Sequence, residues 1–236
     1  MKTLLTALIA ASLGATSPAV LAKAEASNFN LTYALDLDRD GTIVALEPTA
    51  SPDLPLIEAM VEAQVRQWTF RPADVDGVAV PTRTYLRLGI AAPGMDPALT
   101  RIVSAATGPA ISSMTSPGFP AEALRRGDGG VVVLKLKIDA KGAVRRVVAV
   151  SSSSTRRDFT EAAEATAGSW RFLPELADGK PVAGTVLIPV CFKASSPEPQ
   201  ACDWTGPNGK QFTPSSVSVA INPAARITSE LAIVSN

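Results

Sequence analysis

Histidine is absent from the 236 residues, and cysteine occurs only twice. Without histidine the chain has no Ser-His-Asp or Cys-His catalytic site and no histidine-ligated metal. Two cysteines are also too few for a thiolate zinc site. Since 22 Lys and Arg balance 22 Asp and Glu, no overall electrostatic attraction to nucleic acid is expected. The sequence therefore predicts a protein that is not an enzyme and that uses no cofactor or metal.

Long apolar runs are also lacking after the N-terminus. There, Lys2 precedes an apolar run over residues 4–13 and a stretch of small residues that ends at Ala22. This pattern predicts a signal peptide, residues 1–22, cleaved after Ala22 or Ala24. The alternative is an uncleaved membrane anchor, but glycine, serine and proline at positions 14 to 18 end the run well short of the roughly 20 residues that a spanning helix needs. We expect a mature protein without a membrane span, outside the cytoplasm.

One short aromatic motif occurs twice, as Gln67–Pro72 and as Ser169–Pro174. Each copy ends a helical pattern with an aromatic pair, continues into a proline, and is followed by an Asp-Gly turn and an apolar run. Two large rings at the point where a helix becomes extended chain can anchor the helix on a sheet. The repeat therefore predicts two related units, with Trp68 and Trp170 as core residues.

Each unit has the pattern of three strands and a helix, which predicts an α+β fold. In the first unit we expect strands at residues 30–37, 42–46 and 79–90 and a helix from Pro55 to Trp68. In the second we expect a short helix at 119–124, strands at 131–138, 144–150 and 182–192, and a helix at 159–170.

Two segments lack this pattern. Residues 92–116 are rich in Gly, Pro, Ser and Ala, which predicts a linker with a short helix between Pro97 and Ala106. Residues 194–236 form a C-terminal tail, for which the sequence predicts strands at 217–221 and 226–234. The tail has no counterpart after the first unit.

The second unit resembles the C-terminal domain of TonB energy-transducing proteins. The ordered features that carry the resemblance run from residue 117 to residue 193: Phe119-Pro120-x-x-Ala123, Asp139-x-x-Gly142-x-Val144, Ser151 to Ser154, Ala162-Ala163, Trp170-x-Phe172-x-Pro174, Asp178-Gly179-Lys180-Pro181-Val182 and Ile188-Pro189-Val190-x-Phe192. The first unit, residues 26–91, resembles a degenerate copy that lacks the opening Phe-Pro helix.

This resemblance implies two small units, each a three-stranded antiparallel sheet with a helix packed on one face. It also implies a periplasmic location, and a last strand that pairs with an extended segment of an outer-membrane receptor. Full transducers of the family carry a membrane anchor and a long proline-rich spacer, whereas here only a short segment separates the predicted signal peptide from the first strand. We therefore expect a protein-binding or adaptor protein.

The expected mechanism is strand addition, in which an extended peptide pairs with the exposed edge of a sheet. We predict this edge at Thr185, Val186, Leu187 and Ile188, provided that the tail does not cover it. The alternative is a structural or oligomeric scaffold, a homodimer included, in which every sheet edge is paired.

Two smaller hypotheses concern side-chain chemistry. Asp36, Asp38, Asp40 and Glu47 match the linear pattern of a calcium-binding loop. The flanking segments alternate like strands, however, so a hairpin turn is the favoured interpretation. Cys191 and Cys202 are predicted to form a disulfide in an oxidising compartment, with two free thiols as the alternative.

Overall fold

The computed structural model describes residues 26–50, 53–152, 157–194, 202, 204–205, 211–212 and 219–229. The predicted signal peptide lies outside these residues. Within the described ranges, no helix has the length and apolar character needed to cross a membrane.

The first unit contains six strands and one helix. These are β1 (Ala26–Leu37), β2 (Ile43–Ala50), α1 (Pro55–Val65), β3 (Phe70–Arg71), β4 (Asp74–Val75), β5 (Val78–Ala79) and β6 (Thr82–Pro93). A connecting segment follows, with a 3-10 turn at Pro97–Leu99, β7 (Arg101–Gly108) and β8 (Ala110–Ser113).

The second unit contains two helices and six strands. These are α2 (Ala121–Arg126), β9 (Gly130–Ile138), β10 (Val144–Ser152), α3 (Arg157–Ala167), β11 (Arg171–Leu173), β12 (Leu176–Ala177), β13 (Lys180–Pro181) and β14 (Gly184–Phe192). The described part of the tail adds β15 (Trp204–Thr205), β16 (Gln211–Phe212), β17 (Val219–Ala220) and β18 (Arg226–Ile227).

The predicted α+β class is confirmed, because each unit is built on three antiparallel strands with a helix on one face. The strand orders of these cores are β2-β1-β6 and β10-β9-β14. Helix α1 contributes Ile57, Val61 and Val65 to the first core, and α3 contributes Phe159, Ala163 and Ala167 to the second. Both helices bury residues at a spacing of four, which lies on one helical face.

The two repeated tryptophans differ in burial. Trp170 is 1% exposed and lies in the second core, where its Nε1 donates a hydrogen bond to the carbonyl oxygen of Thr115. Trp68 is only partly buried against the first core. The prediction of a core residue is therefore correct for Trp170 but too strong for Trp68.

Of the predicted helix between Pro97 and Ala106, only a 3-10 turn at Pro97–Leu99 forms, and the predicted linker contains two strands. Strand β7 pairs with β6 along seven residue pairs, from Tyr85–Gly108 to Ala91–Arg101. Strand β6 is buried over most of its length, so its outward N–H and C=O groups need protein partners. Pairing with β7 supplies them, and this requirement outweighs a weak local preference for helix.

The two units are interlocked rather than strung along a linker. Strand β12 of the second unit pairs with the start of β6 in the first, and β11 pairs with β8. Strand β18 of the tail returns to pair with β3 of the first unit. Among the described residues, the first sheet has six strands, because β7, β12 and β13 join its core, and the second has four, because β17 joins its core.

Candidate peptide-binding edge and its surroundings

Strand β14, the last of the second unit, is paired with β9 over all nine of its residues. Val186, Ile188 and Val190 are buried in the core on one face of the sheet. Thr185 and Leu187 therefore belong to the opposite, outer face, because side chains alternate along a strand. The remaining edge of β14, away from β9, is the edge at which the sequence predicts peptide binding.

This edge is not free, because the tail occupies it. Strand β17 pairs antiparallel with β14, with Val219 opposite Leu187 and Ala220 opposite Val186. The backbone N–H of Ile221 donates a 2.9 Å hydrogen bond to the carbonyl oxygen of Thr185. The condition attached to the predicted edge is thus not met in this structure, where a peptide at residues 185–188 would have to replace the tail.

Backbone chemistry limits which residues of β14 can donate a hydrogen bond on this edge. Since the carbonyl of Thr185 points towards the tail, so do the backbone groups of Leu187 and Pro189, two and four residues further on. Proline has no N–H to donate. The outward donors of β14 on this edge are therefore concentrated at Thr185 and Leu187, where β17 lies.

The tail is fixed on both sides of β17. Before it, Cys202 forms a disulfide with Cys191, with their Cα atoms 5.7 Å apart. Trp204, 4% exposed, packs on the outer face of the second sheet against Val131 and Val133, where Leu187 and Val219 also contact this cluster. The disulfide thus places a buried tryptophan directly beside the strand that covers the edge.

After β17, the tail enters a buried polar network between the two units. Glu175, 2% exposed, accepts a hydrogen bond from Thr84 Oγ1 at 2.6 Å and from the N–H of Ala224 at 3.0 Å. The hydroxyl of Thr107 in β7 donates to the carbonyl oxygen of Ala225 at 2.6 Å. These bonds join a carboxylate of the second unit, strand β6 of the first unit, strand β7 of the connecting segment and the tail.

Arg87, 7% exposed, lies in the same region and donates a 2.8 Å hydrogen bond to the carbonyl oxygen of Pro109. Burial lowers the pKa of Arg87 to about 10, and the charge of Glu175 opposes this shift. Burial raises the pKa of Glu175, while its hydrogen bonds and Arg87 act in the opposite direction. Two buried and opposite charges therefore lie at the junction of the units, where paired charges are needed to offset desolvation.

The calcium hypothesis finds no geometric support. Both carboxylate oxygens of Asp36 accept hydrogen bonds from Arg83 at 2.6 Å. Asp38 and Asp40 each accept a hydrogen bond from a nearby backbone N–H, as expected in a hairpin turn. Within the described ranges, no three Asp, Glu or Cys side chains are grouped so as to hold a metal ion.

The hairpin turn between the first two strands of the second unit is equivalent to that of the first unit. In each unit the aspartate that opens the turn accepts a 3.0 Å hydrogen bond from a glycine N–H: Asp38 from Gly41, and Asp139 from Gly142. The aspartate N–H in turn donates to the residue after the glycine. The two turns share their backbone bonding although only the first has the carboxylates of the calcium pattern.

Comparison with known proteins relates the second unit to a known family. Residues 115–194 match the sequence model of the family described as Gram-negative bacterial TonB protein C-terminal, which confirms the resemblance for this part of the chain. Protein TonB of Xanthomonas campestris pv. campestris is 39% identical over 80 residues, which are 34% of this chain and 35% of that protein. Protein TonB of Vibrio cholerae serotype O1 is 36% identical over 83 residues, or 35% of this chain and 34% of that protein.

A further relative, protein tonB2 of Pseudomonas aeruginosa, is 35% identical over 78 residues, 33% of this chain and 28% of that protein. The chain thus spans about a third of the length of the curated relatives that it matches. The first unit and the tail lie outside the matched family segment. Their relation to the family remains a prediction from the sequence.

Proposed function

We propose that this chain is a non-enzymatic periplasmic protein-binding protein of the TonB C-terminal type. Its second unit would bind an extended peptide, such as a segment of an outer-membrane receptor, as a strand added to β14 at Thr185–Ile188. The matched segment and the relatives named TonB support this class of function. The two units in tandem, residues 26–91 and 117–193, would together serve in binding.

The observation that carries the proposal is the pairing of β17 with β14. It shows that this edge accepts an antiparallel strand in the position that the family resemblance gives to a partner segment. Among the described residues, this occupant forms two residue pairs and the additional bond from Ile221. Since a backbone hydrogen bond contributes about 0.5–1.5 kcal/mol net, an incoming strand that forms the same bonds to β14 would offset the loss of those described here.

A closed scaffold is the second candidate, and specific contacts favour it. The disulfide and Trp204 hold the tail before β17, while the bonds to Glu175 and from Thr107 hold it afterwards. In this alternative β17 is a permanent edge strand, and the interlocked units serve as a rigid body or as half of a homodimer.

Strand exchange can be tested with labelled peptides that copy extended periplasmic segments of outer-membrane receptors, together with one that copies residues 216–223 of this chain. In the full-length mature protein, Ile221→Pro removes the N–H donor that directly follows β17 and should strengthen binding of the peptides. Leu187→Pro removes the outward N–H donor of β14 at that position and should abolish peptide binding. The matched variants Ile221→Ala and Leu187→Ala keep these N–H groups and should change binding only modestly.

Circular dichroism must show that each proline variant remains folded. Equal capture by folded Leu187→Pro and by the parent would reject strand addition at this edge. Failure of Ile221→Pro to bind any of the peptides would favour the closed scaffold.

A further inference from the structure

The outer face of the second sheet carries three neighbouring cations. Arg146 of β10 lies directly opposite Lys137 of β9, and Lys135 follows two residues away on the same face. All three side chains are exposed. Among the residues that the structure describes, no carboxylate forms an ion pair with any of them. We call these three residues the basic row.

The first unit shows that the fold does not require this charge. Counting from the shared turns, Asp36 takes the place of Lys137, and Ala45 the place of Arg146, directly opposite in the neighbouring strand. Asp36 is neutralised by two 2.6 Å hydrogen bonds from Arg83. The corresponding residue opposite Lys137 in the second unit is Thr185, which carries no charge.

Like charges placed directly opposite each other on a sheet are destabilising. The first unit avoids this arrangement with an internal ion pair, whereas in the second unit Lys137 lies against Arg146 and no carboxylate among the described residues pairs with either. A ligand that supplies negative charge from outside would relieve the repulsion. We propose that the basic row binds an acidic segment of a partner protein.

The geometry favours a peptide over a membrane surface. Cross-strand neighbours on one face lie about 5 Å apart, and same-face neighbours along a strand about 6.6 Å apart. Carboxylates at alternate positions of an extended acidic segment have the same spacing of about 6.6 Å. Two of them can therefore pair with Lys135 and Lys137 at the same time. Three cations alone give only weak attraction to an anionic bilayer, for which stable attachment needs a second anchor. Trp204, the large aromatic residue on this face, is 4% exposed and packed against the sheet.

This surface is distinct from the edge of β14. It consists of side chains on the solvent face, so an acidic segment can bind while β17 remains paired. Binding of an acidic segment to the basic row and strand addition at β14 can therefore be tested separately. One partner could use both surfaces.

The test uses the full-length mature protein and a fluorescent peptide of alternating glutamate and threonine, with a glutamine-threonine peptide as the neutral probe. The parent should bind the acidic peptide and not the neutral one, and added salt should weaken this binding. In the double variant Lys137→Asp/Thr185→Arg, which transplants the ion pair of the first unit, binding should fall at least tenfold without a lower melting temperature. Lys180→Ala, which also lowers the net charge by one but lies elsewhere, should stay within twofold of the parent.

Several outcomes would overturn the proposal. These are equal binding of the two peptides, equal losses in the double variant and in Lys180→Ala, and no binding of the acidic peptide by the parent. Vesicles that contain anionic lipid provide the remaining arm. Binding to vesicles but not to the acidic peptide would assign the basic row to a membrane surface instead.

Discussion

The two units differ most in how the outer edge of their last strand is closed. In the first unit, β7 pairs with β6 along seven residue pairs, and β12 covers the beginning of the same edge. In the second unit, the described residues of the tail include two in β17 that pair with β14. Both edges are thus covered by a later part of the chain. The cover of the first edge, β7, comes directly after the 3-10 turn that follows β6, whereas the cover of the second comes from the tail.

Other features of the two units are closely alike. A Cβ atom added at Gly41 would collide with the carbonyl oxygen of Phe70, and one added at Gly142 would collide with that of Phe172. In both units the hairpin glycine therefore lies against the phenylalanine of the repeated aromatic motif. The repeat preserves the contacts that shape a unit, whereas the closing strand and the surface charge differ.

The largest expected effect separates the two tryptophans. Trp170→Ala should lower the free energy of unfolding by roughly 3–5 kcal/mol, the usual result of truncating a buried large aromatic residue. Trp68→Ala should cost clearly less because Trp68 is only partly buried. Chemical denaturation of both variants measures the difference. Equal losses would show that the cores depend on the repeated ring to the same extent.

Much of this fold follows from local sequence pattern. Alternating apolar residues such as Leu134 and Leu136 predict the core strands, and the helical spacing of Phe159 and Ala163 predicts α3. These signals are local, so they can be recognised without knowledge of the neighbours. The Asp-Gly turns are equally local.

The rest depends on contacts between segments that are distant in sequence. Strand β7 consists largely of small residues, and its pairing is dictated by β6 rather than by its own propensity. A strand near Val219 could be predicted, but not that it would lie on β14. The charge imbalance of the basic row emerges only when β9, β10 and their counterparts in the first unit are aligned in register.

A smaller loss of stability is expected from substituting the hairpin glycines, which lie in equivalent positions of the two units. Gly142 and Gly41 have φ of 78° and 85°, where a Cβ is disfavoured by roughly 1–2 kcal/mol. Gly142→Ala and Gly41→Ala should lose more than this because the added Cβ also meets a backbone oxygen. Gly179→Ala is the matched control, since its φ is 72° but nothing lies within 4 Å of the added atom. Losses no larger than that of the control, measured by urea denaturation, would contradict the close contact.

A smaller effect concerns the junction of the units. Burial raises the pKa of Glu175 in the folded state, so folding favours its protonated form. Its contribution to stability is complete below the unfolded pKa and is lost as pH rises through the folded value. Glu175→Gln should remove this loss, so the stability of the variant relative to the parent should increase with pH.

The comparison with the variant is needed because other carboxylates act in the opposite direction. Backbone hydrogen bonds lower the pKa values of Asp40 and Asp139, so their contributions are lost as pH falls. Denaturation midpoints of parent and Glu175→Gln from pH 4 to pH 8 isolate the contribution of Glu175. A constant difference across this range would show that its titration is not linked to folding.

The smallest expected effect is the response to calcium. Asp36 already pairs with Arg83, and Asp38 and Asp40 accept backbone hydrogen bonds, so millimolar calcium should leave the melting temperature of the parent unchanged. A site saturated at a hundredfold excess over its dissociation constant would instead add about 2.7 kcal/mol of stability. Magnesium at the same concentration controls for ionic strength. A rise specific to calcium that Asp38→Ala abolishes would mean that the turn of the first unit is a metal site with no equivalent in the second, because the turn at Asp139 lacks the other carboxylates.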